Sequence, residues 1–367
     1  MRDPVTVETR PFPLLADPAN YRACQWDLTQ LPERCNYWLS LFRSHFPSLL
    51  EAYRAEAEDR GEDVETVERA IAEAAERFNA YLDIIETDPA AFGRLDILEI
   101  CYARERALRA AGIDDAYRLA KQTDTAHALE LLPSLLEELD AMPEADRQVA
   151  IIEGIFAGNI YDLGATETVA MFKDTRVDFR VVRAKLKPRP WRFDALDAWL
   201  ERLDGPPHRA AVLFVDNAGP DVTLGMIPFA RELLKRGTSV ILTANSQASL
   251  NDVTHAELID LIEAVARLDN VVRTAIDERR LNLVPSGNNA PLIDLGGVSI
   301  ELAEALEVEG IDLVVLEGMG RSLESNFDAE FSCDTLKLAM IKDLGVGEAI
   351  GAELFDLMMK FEPSRTQ

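Results

Sequence analysis

The sequence has few cysteines and no surplus of basic residues, and each shortage excludes a class of protein. Only four cysteines occur among 367 residues, and no two of them form a Cys-x-x-Cys pair. Neither a cysteine-based zinc site nor a disulfide scaffold is therefore predicted. Lys and Arg number 38 against 65 Asp and Glu, which gives a formal net charge of -27. Because nucleic acids and anionic membrane surfaces are bound by clustered basic side chains, we expect neither as a partner.

Long apolar segments are missing as well. No stretch approaches the roughly 18 apolar residues that a membrane-spanning helix needs. The first residues, 1–8, contain no apolar core of a signal peptide, so export is not predicted. With scattered cysteines that fit reduced thiols, we predict a cytoplasmic protein. A composition of 48% hydrophobic and 28% charged residues is globular, and the length indicates about two domains. The sequence leaves the oligomeric state open.

The pattern of the chain changes near residue 150. From about Cys35 to Arg147 the sequence is rich in Ala, Glu, Leu and Arg, and apolar residues recur every three or four positions, as at Val67, Ala74 and Phe78. This spacing predicts helices, with a break at Pro133. We therefore predict a helical domain over residues 1–150 and a second domain over residues 151–367.

The second domain alternates between apolar runs and amphipathic segments. Residues 210–215, 239–244 and 313–316 read as buried strands, and residues 229–236 and 252–268 as helices between them. Strands that alternate with helices form βαβ units. The fold class predicted is α/β, with a Rossmann-like doubly wound sheet behind an N-terminal all-helical domain.

Polar residues follow three of these strands. They are Asp216-Asn217 after the first strand, Asn245-Ser246 with Asn251-Asp252 after the second, and Glu317 at the end of the third. In open α/β sheets ligands bind beyond the carboxyl ends of the strands, so these side chains are expected to converge. None of the turns contains a glycine-rich phosphate motif. Carboxylate and amide oxygens instead suit a hard divalent cation.

Structural roles for the same residues remain open at this point. An Asp-Asn pair that ends a strand is commonly a turn, and Asn251-Asp252 before a helix resembles an N-cap. Asp221 is ambiguous between an N-cap and a contact within the site. Glu317 and Arg321 could form a structural ion pair.

Several segments together resemble the damage-control metal-dependent phosphatases. The branch that they resemble contains the C-terminal phosphatase domain of the pantothenate-kinase-four type protein and its stand-alone plant relative. The matching segments are residues 11–15, 20–24, 154–159, 189–191, 214–221, 228–234, 244–246, 250–254, 317–321 and 333–337.

The resemblance implies a phosphomonoester hydrolase with one divalent ion, Mn²⁺, Co²⁺, Ni²⁺ or Mg²⁺. By position, Asp216, Asn217 and Asp252 match the metal ligands of the family and Lys337 its phosphate-binding lysine, and these four are the predicted catalytic residues. Further residues are expected to line the substrate site: Asn159, Asp162, Asn245, Ser246, Glu317 and Arg321.

The resemblance also suggests a substrate, 4'-phosphopantetheine or its oxidised and damaged forms. A sugar phosphate such as fructose 1-phosphate, and a carboxyl methyltransferase dependent on S-adenosylmethionine, are the alternatives. One segment departs from the family, because residues 115–125 carry Thr125 where relatives have Asn. Since every candidate phosphate ester has a similar phosphate group, selectivity is expected to come from the helical domain.

Overall fold

The computed structural model describes residues 8–160 and 179–364 of the chain. Asp162, one of the predicted substrate-site residues, lies outside the described residues. Within them, no helix is both long enough and apolar enough to span a membrane.

The N-terminal part is helical, as the spacing of its apolar residues predicts. Its helices are α1 Pro32–Asp59, α2 Val64–Thr87, α3 Ile97–Ala110, α4 Arg118–Asp140 and α5 Glu144–Asn159. The predicted break at Pro133 is wrong, because α4 continues through this residue. Leu132, Leu135 and Leu136 around it are buried, and their packing outweighs the backbone hydrogen bond that proline cannot donate.

The C-terminal part is built on one seven-stranded sheet. Its strands are β2 Phe193–Asp194, β3 Ala210–Phe214, β4 Ser239–Ala244, β5 Leu281–Pro285, β7 Leu313–Glu317, β8 Asp334–Met340 and β9 Leu357–Glu362. Their order is β2-β9-β8-β7-β3-β4-β5, and the five strands from β8 to β5 are parallel to one another. β9 pairs antiparallel with β8. Two short strands, β1 Thr9–Arg10 and β6 Val298–Ser299, form a separate ribbon.

Helices cover both faces of the sheet. They are α6 Phe179–Ala184, α7 Leu196–Asp204, α8 Ile227–Lys235, α9 His255–Leu268, α10 Asn270–Asp277, α11 Ile300–Glu309 and α12 Leu344–Ile350. Along β3, Ala211 and Leu213 pack into one apolar cluster, whereas Val212 and Phe214 pack into another on the opposite face. A strand buried on both faces needs the uninterrupted apolar run that the sequence contains. The predicted fold class is confirmed.

Helix α5 runs through residue 150, where the sequence predicts a domain boundary. Its apolar residues Ile151 and Ile155 belong to the same cluster as strand residues of the sheet. The division of the chain into residues 1–150 and 151–367 stays a prediction.

Candidate active site

Polar side chains from four neighbouring parallel strands meet at one edge of the sheet. Asp216 and Asn217 follow β3, Asn245 follows β4, Glu317 ends β7 and Lys342 follows β8. Because the carboxyl ends of parallel strands point the same way, chain topology alone brings these residues together. Two π-helical segments, Asp221–Met226 after β3 and Met319–Glu324 after β7, border the same edge.

Three carboxylates form a buried cluster. Asp216, Asp221 and Glu317 each offer an oxygen within 4.8 Å of the others. The Asn159 side-chain nitrogen, at the end of α5, donates to all three, at 3.4 Å to Asp216, 3.1 Å to Asp221 and 2.7 Å to Glu317. Asp221 also accepts from the backbone and side-chain nitrogens of Asn217. The ambiguity over Asp221 is thus resolved in favour of a contact within the site.

Asp252 lies next to Asn217 rather than at the start of a helix. Helix α9 begins at His255 and is capped by Thr254, whose side chain exchanges hydrogen bonds with Glu257 in a capping box. The N-cap interpretation of Asp252 is therefore wrong, and its carboxylate accepts from Asn245 at 2.8 Å. Asn217 and Asp252 form an isolated antiparallel bridge.

Arg321 connects two of the predicted metal ligands. Its guanidinium is 1% exposed, pairs with the Asp216 carboxylate and lies 2.8 Å from the Asp252 carboxylate. A planar guanidinium with donors on several sides can bridge two acids in this way. The sequence places Arg321 in the site, and the structure brings it together with Asp216 and Asp252.

Two buried lysines of the β8 segment lie in different surroundings. The ammonium of Lys337, inside the strand, donates to the carbonyls of Phe327 and Ala329 and pairs with Glu362 at 3.0 Å. Burial lowers the pKa of Lys337 to about 8, although Glu362 opposes this effect. Lys337 is not among the described residues that line the cavity at Asp216, whereas Lys342 is. Lys342 was missed in the sequence, although it follows a strand as Asp216 does.

The charged side chains at this edge do not balance. Six described side chains at the strand ends and the segments after them are four carboxylates and two cations, namely Asp216, Asp221, Asp252, Glu317, Arg321 and Lys342, all at most 5% exposed. Among these six, four negative charges against two positive ones leave a formal excess of two negative charges. Burial raises the pKa of Asp221, against the opposing effect of the Lys342 ammonium.

The donor atoms at this edge fit a divalent metal ion. Oδ1 of Asp221 and Oδ1 of Asn159 are buried and accept no hydrogen bond from the part of the chain that the structure describes. Buried oxygens without partners are costly, and oxygen donors are the ligands that hard divalent ions prefer. The charge of such an ion would also offset the excess of two negative charges. The chain thus has a buried acidic cluster that can hold a metal ion.

A cavity opens at this edge, and helices α1 and α3 form its opposite wall. Its described lining residues are Trp38, Leu41, Phe42, His45, Ile97, Cys101, Arg104, Asp216, Asn217, Leu250, Asp252, Pro291, Leu292, Met319, Gly320, Glu324, Lys342 and Asp343. The helical wall is mainly apolar, and its polar members are His45 and Arg104. In the sequence His45 looks isolated, because only the fold brings α1 against the sheet edge.

The remaining predicted residues lie around this cavity. Asn245 donates to Asp252 and to the Ala290 carbonyl. Ser246 accepts from the Gly287 backbone and is not among the described lining residues. The substrate-contact role expected of Ser246 stays a prediction.

Comparisons with known proteins agree with this geometry. Residues 41–358 match the "Damage-control phosphatase ARMT1-like domain" family. Over 96% of its length the chain is 41% identical to Pantothenate kinase 2 of Arabidopsis thaliana, and it spans 42% of that protein. It is 34% identical to the 4'-phosphopantetheine phosphatase of Mus musculus and spans 48% of it.

Another relative matches over nearly its whole length. A damage-control phosphatase of Arabidopsis thaliana is 36% identical, and the match covers 96% of this chain and 97% of the relative. Among solved structures, a DUF89 family protein of Pyrococcus horikoshii aligns with a TM-score of 0.54 over 86% of this chain and 96% of that one. At 15% identity, this similarity concerns the fold.

Proposed function

Because the chain belongs to the ARMT1-like damage-control phosphatase family, we propose that it is a metal-dependent phosphatase whose substrate is 4'-phosphopantetheine or one of its oxidised or damaged forms. The name of the mouse relative supports the substrate. The observation that carries the proposal is the convergence of buried acids and two cations at the sheet edge. The four free, buried cysteines fit a cytoplasmic location, which we also propose.

Asp216, Asn217 and Asp252 are the proposed metal ligands, with Mn²⁺, Co²⁺, Ni²⁺ or Mg²⁺ as the ion. When bound, such an ion activates water and neutralises the charge of the phosphoryl group. Asn159 orients the acids by donating to three carboxylates at once. Asp221 holds Asn217 through both of its nitrogens, and the side-chain oxygen of Asn217 is its proposed ligand atom.

Arg321 and Lys342 are proposed to contact the phosphate oxygens. Lys342 lines the cavity, and Arg321 pairs with Asp216 and Asp252, which line it. Both cations are buried, so solvent screens their charge little. Lys342 is held in place by its hydrogen bond to the Asn159 carbonyl, at 2.9 Å. The resemblance assigns the phosphate contact to Lys337, but the carbonyl and carboxylate contacts of that residue lead us to propose Lys342 instead.

The rest of the substrate is proposed to lie along the helical wall. Trp38, Phe42 and Ile97 present apolar surface to the cavity. A pantetheine arm has a dimethyl-substituted carbon chain that can pack on such a wall, whereas a sugar offers mainly hydroxyl groups that would lose hydrogen bonds to water there. This apolar surface favours the pantetheine phosphates over fructose 1-phosphate.

A panel of kcat/KM values tests the proposal. The purified chain is treated with a chelator, resupplied with each of the four ions, and assayed on 4'-phosphopantetheine, its S-sulfonate, fructose 1-phosphate and ribose 5-phosphate. We expect activity only with added metal, and higher values for the pantetheine compounds. A sugar phosphate that exceeds both of them by roughly tenfold, about 1.4 kcal/mol, would overturn the substrate.

A second assay addresses the methyltransferase alternative. The chain is incubated with labelled S-adenosylmethionine and an acidic acceptor protein under the same conditions. Methyl transfer together with no phosphate release from any ester would replace the phosphatase proposal with that alternative.

A further inference from the structure

The first turns of α4 contact the loop that carries Asp252. Lys121, 2% exposed, lies in the first turn, and its ammonium is 3.4 Å from the Asp252 carbonyl oxygen. It also pairs at 2.8 Å with Asp115 and with Glu257, the residue that completes the capping box of α9. Burial lowers the pKa of Lys121, but the two carboxylates outweigh it and raise the pKa above its ordinary value. Lys121 is thus a fixed cation between α4 and this loop.

The next turn of α4 contacts the loop that carries Asp216 and Asn217. The Gly219 backbone nitrogen donates to the Thr125 hydroxyl at 3.1 Å. Gly219 has a φ of 80°, and a Cβ there would lie 2.8 Å from the Cβ of Asp124. The loop and the helix therefore approach so closely that only glycine fits at this position.

The two loops are also joined to each other. The Val253 nitrogen donates to the Asp216 carbonyl, and the Ala218 nitrogen donates to the Asn251 carbonyl, both at 2.9 Å. These bonds fix the pair of loops on one side, and α4 holds them on the other. Within the described chain, Lys121, Asp124 and Thr125 are not among the residues that line the cavity. A direct contact with substrate is therefore not their role.

We propose that Lys121 and Thr125 are positioning residues that hold the two ligand-bearing loops at the separation that the metal ion requires, so that they set metal affinity and not substrate choice. The inference rests on the proposed function for the identity of the ligands. It gives residues 115–125 a role in the metal site. An Asn at position 125 offers an oxygen acceptor, as Thr does, and can keep the bond to Gly219.

The test measures Mn²⁺ binding directly, by calorimetric titration of the chelator-treated chain. Thr125→Val keeps the shape of the side chain but removes the acceptor, so we expect roughly tenfold weaker Mn²⁺ binding, as for other residues that support metal ligands. Thr125→Asn should bind Mn²⁺ as the wild type does. Thr123→Val is the matched control, because Thr123 is an exposed residue of the same helix.

Lys121 provides a second pair of variants. Lys121→Met removes the cation and should weaken Mn²⁺ binding by at least as much as Thr125→Val, whereas Lys121→Arg should restore part of the affinity. Thermal unfolding of each metal-free variant shows whether it is folded. If Lys121→Met does not fold, the Mn²⁺ affinities of Thr125→Val and Thr125→Asn alone test the proposal.

Three results separate this inference from the function on which it rests. Weaker Mn²⁺ binding by Thr125→Val, with an unchanged ratio of kcat/KM for 4'-phosphopantetheine and p-nitrophenyl phosphate, supports it. Wild-type Mn²⁺ affinity in a folded Thr125→Val, or a changed ratio, overturns it and leaves the phosphatase proposal standing. A wild-type chain that binds no divalent ion overturns both.

Discussion

The two sides of the cavity differ in chemistry and in origin. The sheet edge carries buried charge, with Asp216, Asp252 and Lys342 placed by strand ends and the loops that follow them. The opposite wall, from α1 and α3, is mainly apolar, with Trp38 and Phe42 as its large side chains. The proposed metal ligands and Lys342 all lie on the sheet side.

From this difference we infer that the sheet edge carries out the reaction and the helical wall selects the substrate. Changes at the sheet edge should affect every phosphate ester in proportion, because all of them present the same group there. Changes in the helical wall should instead alter the ratio between substrates. Kinetic measurements on variants of both sides can therefore confirm or contradict this division of roles.

The largest effect is expected from the proposed metal ligands. Asp216→Asn and Asp252→Asn each remove one charge that holds the ion, and each should lower kcat at least ~100-fold for all substrates. The panel of four esters, measured with saturating Mn²⁺, checks this prediction. A loss confined to one substrate would contradict the separation, and near-wild-type rates would show that the ligands are misassigned.

The two buried lysines of the β8 segment give the next largest effect. Lys342→Met should lower kcat/KM on the order of 10- to 100-fold for every ester, because a charged hydrogen bond to phosphate is lost. Lys337→Met is the matched control, since it removes an equally buried lysine. If Lys337→Met is folded and loses as much activity, the phosphate contact belongs to Lys337.

A polar substitution in the helical wall should change selectivity. Leu41→Ser removes apolar contact area beside the proposed position of the pantetheine arm and should lower kcat/KM for 4'-phosphopantetheine roughly tenfold. The value for p-nitrophenyl phosphate should stay close to that of the wild type. Leu131→Ser, in α4 and outside this cavity, is the control. Equal losses on both substrates would place Leu41 among residues that affect the reaction itself.

The smallest effect concerns stability and pH. The pKa of Lys337 is about 8 in the folded chain and near 10.4 in an unfolded one, so the unfolded chain binds more protons between these values. The contribution of Lys337 to the free energy of unfolding should therefore rise with pH over this window and be lost as pH falls towards 8. Urea unfolding at pH 8.0 and 9.5 should show wild type gaining about 1.5 kcal/mol relative to Lys337→Met. A constant difference would mean that Lys337 titrates at its ordinary pKa.

The sheet and its polar edge could be predicted from the sequence because both follow from local patterns. The apolar runs of β3 and β4 are recognisable without any tertiary information, and the residue after a buried parallel strand lies at a known edge. The same rule applied to β8 points to Lys342. The strand over residues 334–340 is not predicted from the sequence, and the resemblance points to Lys337, five positions before Lys342.

The cavity wall could not be predicted in this way. Trp38 and Ile97 lie more than a hundred positions before Asp216, and their helical spacing indicates only that they are buried. Which helix faces the sheet edge depends on packing between distant segments. The two contacts from α4 to the ligand loops, through Lys121 and Thr125, depend on the same packing and carry no local signal.

The turn after β7 limits how the Asp216 carboxylate can be redesigned. Gly318 has a φ of 99°, and a Cβ at this position would lie 2.0 Å from Oδ2 of Asp216. The carboxylate thus occupies the volume that any side chain at position 318 would need. Any set of variants of this site must therefore keep glycine at position 318. Gly318→Ala alone would add one carbon atom and displace the Asp216 carboxylate, a proposed ligand, without changing its chemistry.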